Sequence, residues 1–159
     1  MKPLGEKVKG PSVEDILRVA GSTGVFHPLE LEILKEVTED CLKNSEKGYR
    51  LISVDDEGRS VGFAIFGRTP MTANTWDIYW LAVDSASQRK GLGGQLLSMA
   101  EAEILSNNPD APVIRVETSS RDVYVAARKL YFKSGYTEAG LINDFYKKND
   151  ALLTFSKKL

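Results

Sequence analysis

The stretch Trp80-Leu81-Ala82-Val83-Asp84-Ser85-Ala86-Ser87-Gln88-Arg89-Lys90-Gly91-Leu92-Gly93-Gly94-Gln95-Leu96-Leu97 decides how this chain is read. Its first four residues close a run, Thr75 to Val83, rich in aromatic and β-branched side chains that favour a strand. Three glycines in four positions then stand where that strand feeds a helix, with Leu92, Leu96, Ala100 and Ile104 at helical spacing. Glycine permits positive φ and close approach by another backbone or a ligand. The first N–H groups of a helix are unpaired and its dipole adds partial positive charge, so the turn is a ready site for phosphate. Arg89 and Lys90 add fixed charge at its rim. A P-loop is excluded, because Gln95 and Leu96 follow the last glycine where Lys and Ser or Thr are needed. A dinucleotide fingerprint is excluded because Leu96 stands where its third glycine belongs. The plain alternative is a tight turn that is merely glycine-rich.

Outward from this turn the chain reads as one domain over residues 1–159. Upstream, Lys7 to Lys9 suggests a short strand or loose arm. Ser12-Val13-Glu14-Asp15 resembles a capping box and opens a helix ending near Gly21. Pro28 starts a second helix reaching about Asn44, with His27, the sole histidine, as a helix-start residue. Tyr49 to Val54 and Val61 to Phe66 form a hairpin around Asp55-Asp56-Glu57-Gly58. Downstream, Val113 to Thr118 is a strand, and a helix capped within Ser119 to Asp122 runs to Ser134, with Gly135 at its end. Tyr136 to Ile142 and Leu152 to Phe155 close the sheet, with the polar stretch Asn143 to Asp150 between them. The class is α/β with a mixed sheet.

Composition narrows the function. Lys plus Arg is 21 against 22 for Asp plus Glu, giving a net charge of −1, so a general nucleic-acid binder or polybasic membrane protein is not expected. No apolar run approaches the ~18 residues of a membrane span, and residues 1–10 lack the apolar core of a signal peptide. Cys41 is the only cysteine, which excludes an internal disulfide and a Cys-based zinc site and points to the cytosol.

Gln88-Arg89-Lys90-Gly91-Leu92-Gly93 resembles the Q/R-x-x-G-x-G/A acetyl-CoA motif of the GNAT superfamily of N-acetyltransferases. Ala127-Arg128-Lys129-Leu130-Tyr131-Phe132-Lys133-Ser134-Gly135-Tyr136 is similar to that superfamily's A-x-x-L-Y-x-x-x-G-F/Y segment. The likeness covers about residues 49–157 and is looser over the first 48. It implies a GNAT fold: a mixed sheet of about six to seven strands with about four helices, and splayed parallel strands at the cofactor site. It implies acetyl-CoA as co-substrate, no metal, and transfer of an acetyl group to a primary amine of a small molecule or peptide. The backbone amides of Arg89, Lys90, Gly91, Leu92, Gly93 and Gly94, with Gln88 at the motif's first position, would grip the pyrophosphate. The pantetheine arm would pair like a strand with Leu81 and Val83. Superfamily members are often dimers, so a homodimer follows by analogy.

The chemistry needs a base for the amine, a donor for the oxyanion and an acid for the leaving thiolate. Tyr131 matches the superfamily tyrosine near the thioester sulfur and is the expected acid. Tyr124, Ala127 and Tyr131 fall on one helical face, Ala127 leaving room for the pantetheine arm. Tyr124 stands where the superfamily often has Asn, which puts the usual polar contact to that arm in doubt. Asp77 is the first choice of base, six residues before Val83, and Glu117 on the neighbouring strand its rival. Strict alternation puts Asp77, Tyr79, Leu81 and Val83 on one face, unless a bulge shifts the phase. The oxyanion would meet the N–H of Val83 or Leu81. Cys41 reads as a packing residue, and Trp76 and Trp80 as core or pocket wall. Phe145 and Tyr146, in an inter-strand loop, are expected to recognise the acceptor. A non-catalytic acyl-CoA sensor of the same fold is the alternative, and a nucleotide-binding protein a weaker one.

Overall fold

The computed structural model describes residues 10–43 and 48–159. Four helices, α1 (Val13–Ser22), α2 (Pro28–Lys43), α3 (Leu92–Asn107) and α4 (Val125–Lys133), flank a sheet of β1 (Tyr49–Asp56), β2 (Arg59–Arg68), β3 (Thr75–Val83), β4 (Val113–Ser119), β5 (Thr137–Lys147) and β6 (Asp150–Lys158). The strand order is β1-β2-β3-β4-β6-β5. Among the described residues only β3 and β4 pair in parallel, as a strand–helix–strand unit requires. The expected arm at Lys7 to Lys9 and the end of the second helix at Asn44 lie outside the described residues.

Local chemistry sets the helix starts. Ser12 Oγ accepts from Asp15 N–H at 3.1 Å and Asp15 Oδ2 accepts from Ser12 N–H at 3.2 Å, a complete capping box. His27 serves α2 in the same way. Its N–H donates to Glu30 Oε2 at 2.7 Å and its Nδ1 accepts from Leu29 N–H at 3.3 Å. Glu57 and Gly58, both at positive φ, make the two-residue turn between β1 and β2. The turn is therefore tighter than four residues, and Asp55 and Asp56 belong to β1.

The core lies in layers on both sides of the sheet. Phe63, Ile65, Ala82 and Trp80 pack against Ile16, Val19, Ala20 and Leu34 of α1 and α2. Phe66, Trp76, Ile78, Ile114 and Val116 pack against Leu97, Ala100, Ile104 and Tyr131 on the α3/α4 face. Each fully buried large side chain contributes about 1.5–3 kcal/mol.

Three expectations are corrected. The segment after β4 is not one helix: a 3-10 turn over Asp122–Tyr124 precedes α4. Residues 143–147 are strand rather than loop, since β5 runs to Lys147 and β6 begins at Asp150. Asp144, at positive φ, accepts from Asn149 N–H at 2.7 Å and ties this hairpin's end together. On β3 the register slips: Ile65 faces Trp80 but Phe66 faces Ile78, so Tyr79 is the extra residue of a bulge. The phase shift places Asp77 on the α1/α2 face with Trp80 and Ala82, while Leu81 and Val83 join Ile78 on the α3/α4 face.

Candidate active site

β3 and β4 pair only from Thr75↔Val113 to Ile78↔Val116. Beyond that point β4 follows β6, to Ser119↔Leu152, and β3 follows β2, to Gly62↔Val83. The two parallel strands part just after the bulge at Tyr79, and a cleft opens between them.

The register shows which backbone groups face the cleft. Asp84 N–H donates to Val61 C=O at 2.8 Å, which makes Gly62↔Val83 a pair whose own polar groups point outward from the ladder. The alternation repeats at Ala64↔Leu81. The N–H and C=O of Leu81 and Val83 therefore point away from β2, to the side β4 has left. Gln88 Nε2 donates to Val83 C=O at 3.1 Å, anchoring the turn to its strand.

That turn has the shape of an anion cradle. Gly91 caps α3 in the left-handed region, φ 79°, and Arg89 is also left-handed, φ 64°. A Cβ on Gly91 would meet nothing within 4 Å, so conformation demands glycine there. Gly93 is glycine for another reason: its Cβ would lie 2.8 Å from Leu130 Cδ2, because α4 crosses against the first turn of α3. Gln95 N–H closes the first helical ring on Gly91 C=O at 3.0 Å, which leaves the amides of Leu92, Gly93 and Gly94 ahead of it for an outside acceptor. A cavity of about 370 Å³ continues from Gly91 and Gly94 between α3 and α4, past Ser98 and Leu130 to Lys133 and Lys157.

Tyr131 is 5% exposed, and its ring packs on Phe155 at 5.6 Å and Tyr136 at 6.1 Å. Burial, with the Tyr124 phenol nearby, pushes its hydroxyl up to about 12. That hydroxyl has no hydrogen-bond partner among the described residues. Ala127 packs beside it against the same core. Tyr124 lies just before α4, and its hydroxyl donates to Val25 C=O at 3.3 Å, fastening the start of α4 to the α1–α2 connection.

On the α1/α2 face a smaller cavity of about 120 Å³ is lined by Asp77, Ile78, Tyr79, Arg115 and Glu117. Asp77 is 6% exposed. Its Oδ1 accepts from Arg115 Nε at 2.6 Å, and its Oδ2 accepts from Arg115 Nη2 at 3.1 Å and from Thr69 Oγ1 at 2.7 Å. Glu117 is far more open, its side chain 43% exposed, and its Oε1 stands 3.7 Å from Arg115 Nη1. Thr69 and Arg115 escaped the sequence reading. Arg115 was visible only as the residue two before Glu117, hence on its face of β4. On β5, Phe145 and Tyr146 stack edge to face at 5.0 Å. Burial and the Glu117, Asp150, Tyr124 and Glu30 side chains around it hold the Tyr146 phenol above its ordinary range.

A mixed sheet whose parallel strands part beside an amide-lined turn at a helix start is the architecture of the GNAT acetyltransferase fold. Residues 47–138, more than half of the chain, match the family profile described as an acetyltransferase (GNAT) domain, and the chain belongs to that family. A GNAT-family protein from Desulfovibrio desulfuricans superposes with TM-score 0.87 at 27% identity, over 96% of this chain and 95% of that one. The ribosomal-protein-S18-alanine N-acetyltransferase of Escherichia coli shares the fold with TM-score 0.73 at 18% identity, over 94% and 91%. An aminoglycoside 6′-N-acetyltransferase complexed with coenzyme A does so at 0.71 and 16%, over 98% and 95%. In sequence, the S-(2-succino)cysteine N-acetyltransferase of Bacillus subtilis (strain 168) is 25% identical over 108 residues, 68% of this chain and 61% of that protein's own length. No helix among the described residues is long and apolar enough to cross a membrane, and none of their His, Cys, Asp and Glu side chains form a group of three or more suited to a metal.

Proposed function

We propose that this protein is an acetyl-CoA-dependent N-acetyltransferase acting on a primary amine of a small molecule or peptide by direct attack. One observation carries the reading. The outward-pointing backbone groups of Leu81 and Val83 run along the cleft into the unpaired first turn of α3, so one extended ligand with an anionic middle satisfies both. In this reading the amides of Arg89 to Gly94 hold the pyrophosphate, with Gln88 bracing the turn. The cavity that leads to Lys133 and Lys157 takes the nucleotide end. Acetyl-CoA supplies an activated acyl group as a thioester.

The residues divide the proton work. Tyr131 holds a proton at its hydroxyl oxygen, and the burial that raises it also raises a thiol in the same surroundings, so the two stay within reach of each other. The N–H of Val83 or Leu81 is a fixed dipole for the developing oxyanion. Sequence spacing put Asp77 ahead of Glu117 as base. Both Asp77 oxygens are engaged by hydrogen bonds from Arg115 and Thr69 and the side chain is buried, which leaves no open approach for an amine, whereas Glu117 is open. We therefore assign amine deprotonation to Glu117, and to Asp77 the positioning of Arg115. The lone Cys41 fits a cytosolic protein. A homodimer belongs to the same proposal. The edge strand β5 exposes Leu141, Ile142, Phe145 and Tyr146, and Glu138 near one end and Lys147 at the other let two antiparallel copies oppose unlike charges.

Titration calorimetry with acetyl-CoA, followed by thiol release over an amine panel, tests the reading. The panel includes an aminoglycoside, a peptide with an N-terminal alanine and S-(2-succino)cysteine, the acceptors named for the relatives above. Tight acetyl-CoA binding with release of CoA supports an enzyme. Binding without product from any amine supports the acyl-CoA sensor instead, and a nucleotide that outcompetes CoA supports neither.

A further inference from the structure

The smaller cavity contains one guanidinium and two carboxylates of unequal standing. Asp77 is saturated. Arg115 carries five N–H donors. Two of them are directed at Asp77, which leaves three, on a side chain 42% exposed. The pair with Asp77 fixes the guanidinium plane, so the remaining donors present a preset fork. Glu117 stands beside it, two residues along β4 and on the same face. At 3.7 Å from Nη1 its carboxylate makes an ion pair but no hydrogen bond, so both groups keep bonding capacity for a third partner. Arg115 is the only cation among the residues lining this cavity.

A fixed fork of donors beside a carboxylate that accepts no hydrogen bond from it complements a molecule with a carboxylate next to an ammonium. A diamine or polyamine would bring a second cation against Arg115. An amino-acid amide would offer the three donors one neutral carbonyl oxygen in place of a charged carboxylate, and a simple alkylamine would offer them nothing. We infer that the acceptor is a free α-amino acid, its carboxylate seated on Arg115 and its α-ammonium on Glu117. This rests on the acetyl-transfer reading above. In the transfer an N–C bond forms as the thioester C–S bond breaks. The ammonium loses one proton through Glu117 to solvent; the departing thiolate takes a proton from Tyr131, which the second nitrogen proton, lost after attack, replaces, so each turnover releases one proton overall.

The experiment compares the full-length protein on the twenty common L-amino acids and S-(2-succino)cysteine, on their C-terminal amides, and on putrescine and spermidine, following thiol release and product mass. The expected result is a kcat/KM for the best free acid about 10- to 100-fold above that of its own amide, the range of a charge-assisted contact. Arg115→Gln should bring that ratio close to one, chiefly through KM, and Arg115→Lys should restore part of it. The acetyl-CoA Kd, measured by calorimetry in each variant, should stay at the wild-type value and reports that the fold is intact. An amide or polyamine used as well as the acids overturns the inference. So does an acid preference that survives in Arg115→Gln, or the failure of every free acid both to react and to bind the CoA-loaded protein. Each of these leaves the transferase reading standing if acetyl-CoA binds, whereas wild-type protein that binds no acetyl-CoA brings down the transferase reading itself.

Discussion

Tyr131, Asp77 and Glu117 can be separated by single substitutions. Tyr131→Phe removes only the hydroxyl from a packed ring, so acetyl-CoA affinity should hold while kcat falls about 100-fold or more, the usual weight of a proton donor. Unchanged kcat in this variant removes the acid role. With its hydroxyl pushed up to about 12, Tyr131 stays protonated through neutral and moderately alkaline pH, so its titration should not cut the rate below about pH 10. Glu117→Gln should alter the shape of the pH–rate profile, because it takes away the base. Asp77→Asn should keep that shape and raise acceptor KM, because it only frees Arg115. If the two variants change the profile in the opposite pattern, the assignments exchange.

At the level of elements, the crossing of α3 and α4 depends on Gly93. Gly93→Ala puts a methyl 2.8 Å from Leu130 Cδ2, so the end of the Leu130 side chain must turn aside. Because only a side-chain end has to move, the loss should sit at the low end of the overpacking range, about 1 kcal/mol. Chemical denaturation should show that loss in Gly93→Ala, and a smaller effect of the same substitution when it is made in the Leu130→Ala background. Additive losses would mean the two residues do not press on each other. The same crossing shows why part of the molecule was legible in sequence and part was not. The turn from Gln88 to Gly94, the bounds of β3 and the capping box at Ser12 are local, encoded in glycine placement, β-branching and a four-residue spacing. The β3 bulge is not local. It follows from fitting Tyr79 against Tyr49 and Gly67 of neighbouring strands, and it carries Asp77 to the face opposite the one strict alternation gives. Nor was the length of β5 readable, since the polar Asn143 and Asp144 look like loop and the ladder with β6 skips from Ile142↔Leu152 to Lys147↔Asp150. The Arg115–Asp77 bridge joins residues 38 apart in sequence, a pairing that only the parallel register reveals.

The molecule as a whole keeps buried phenols neutral, and this sets its response to alkali. Tyr131, and Tyr136 still more strongly with Glu101 facing it, hold their protons above the ordinary value of 10. Below pH 10 both folded and unfolded chains keep these protons and the contribution to stability is complete. As pH rises toward 12 the unfolded chain releases them first, so stability falls. For Tyr131 the loss reaches about 2–3 kcal/mol. Urea midpoints measured from pH 8 to 11.5 should decline, and Tyr131→Phe should decline less steeply. A flat profile would show that these hydroxyls are not withheld from water.

The two cavities lie on opposite faces of one sheet, so in the proposed reaction each reactant has its own approach. Neither reactant has to leave before the other arrives, and the half-buried Cys41, its thiol raised to about 11, offers no stopping place for an acyl group. Turnover should then pass through a ternary complex. Double-reciprocal plots of rate against one reactant, at several fixed levels of the other, should converge on a point rather than run parallel.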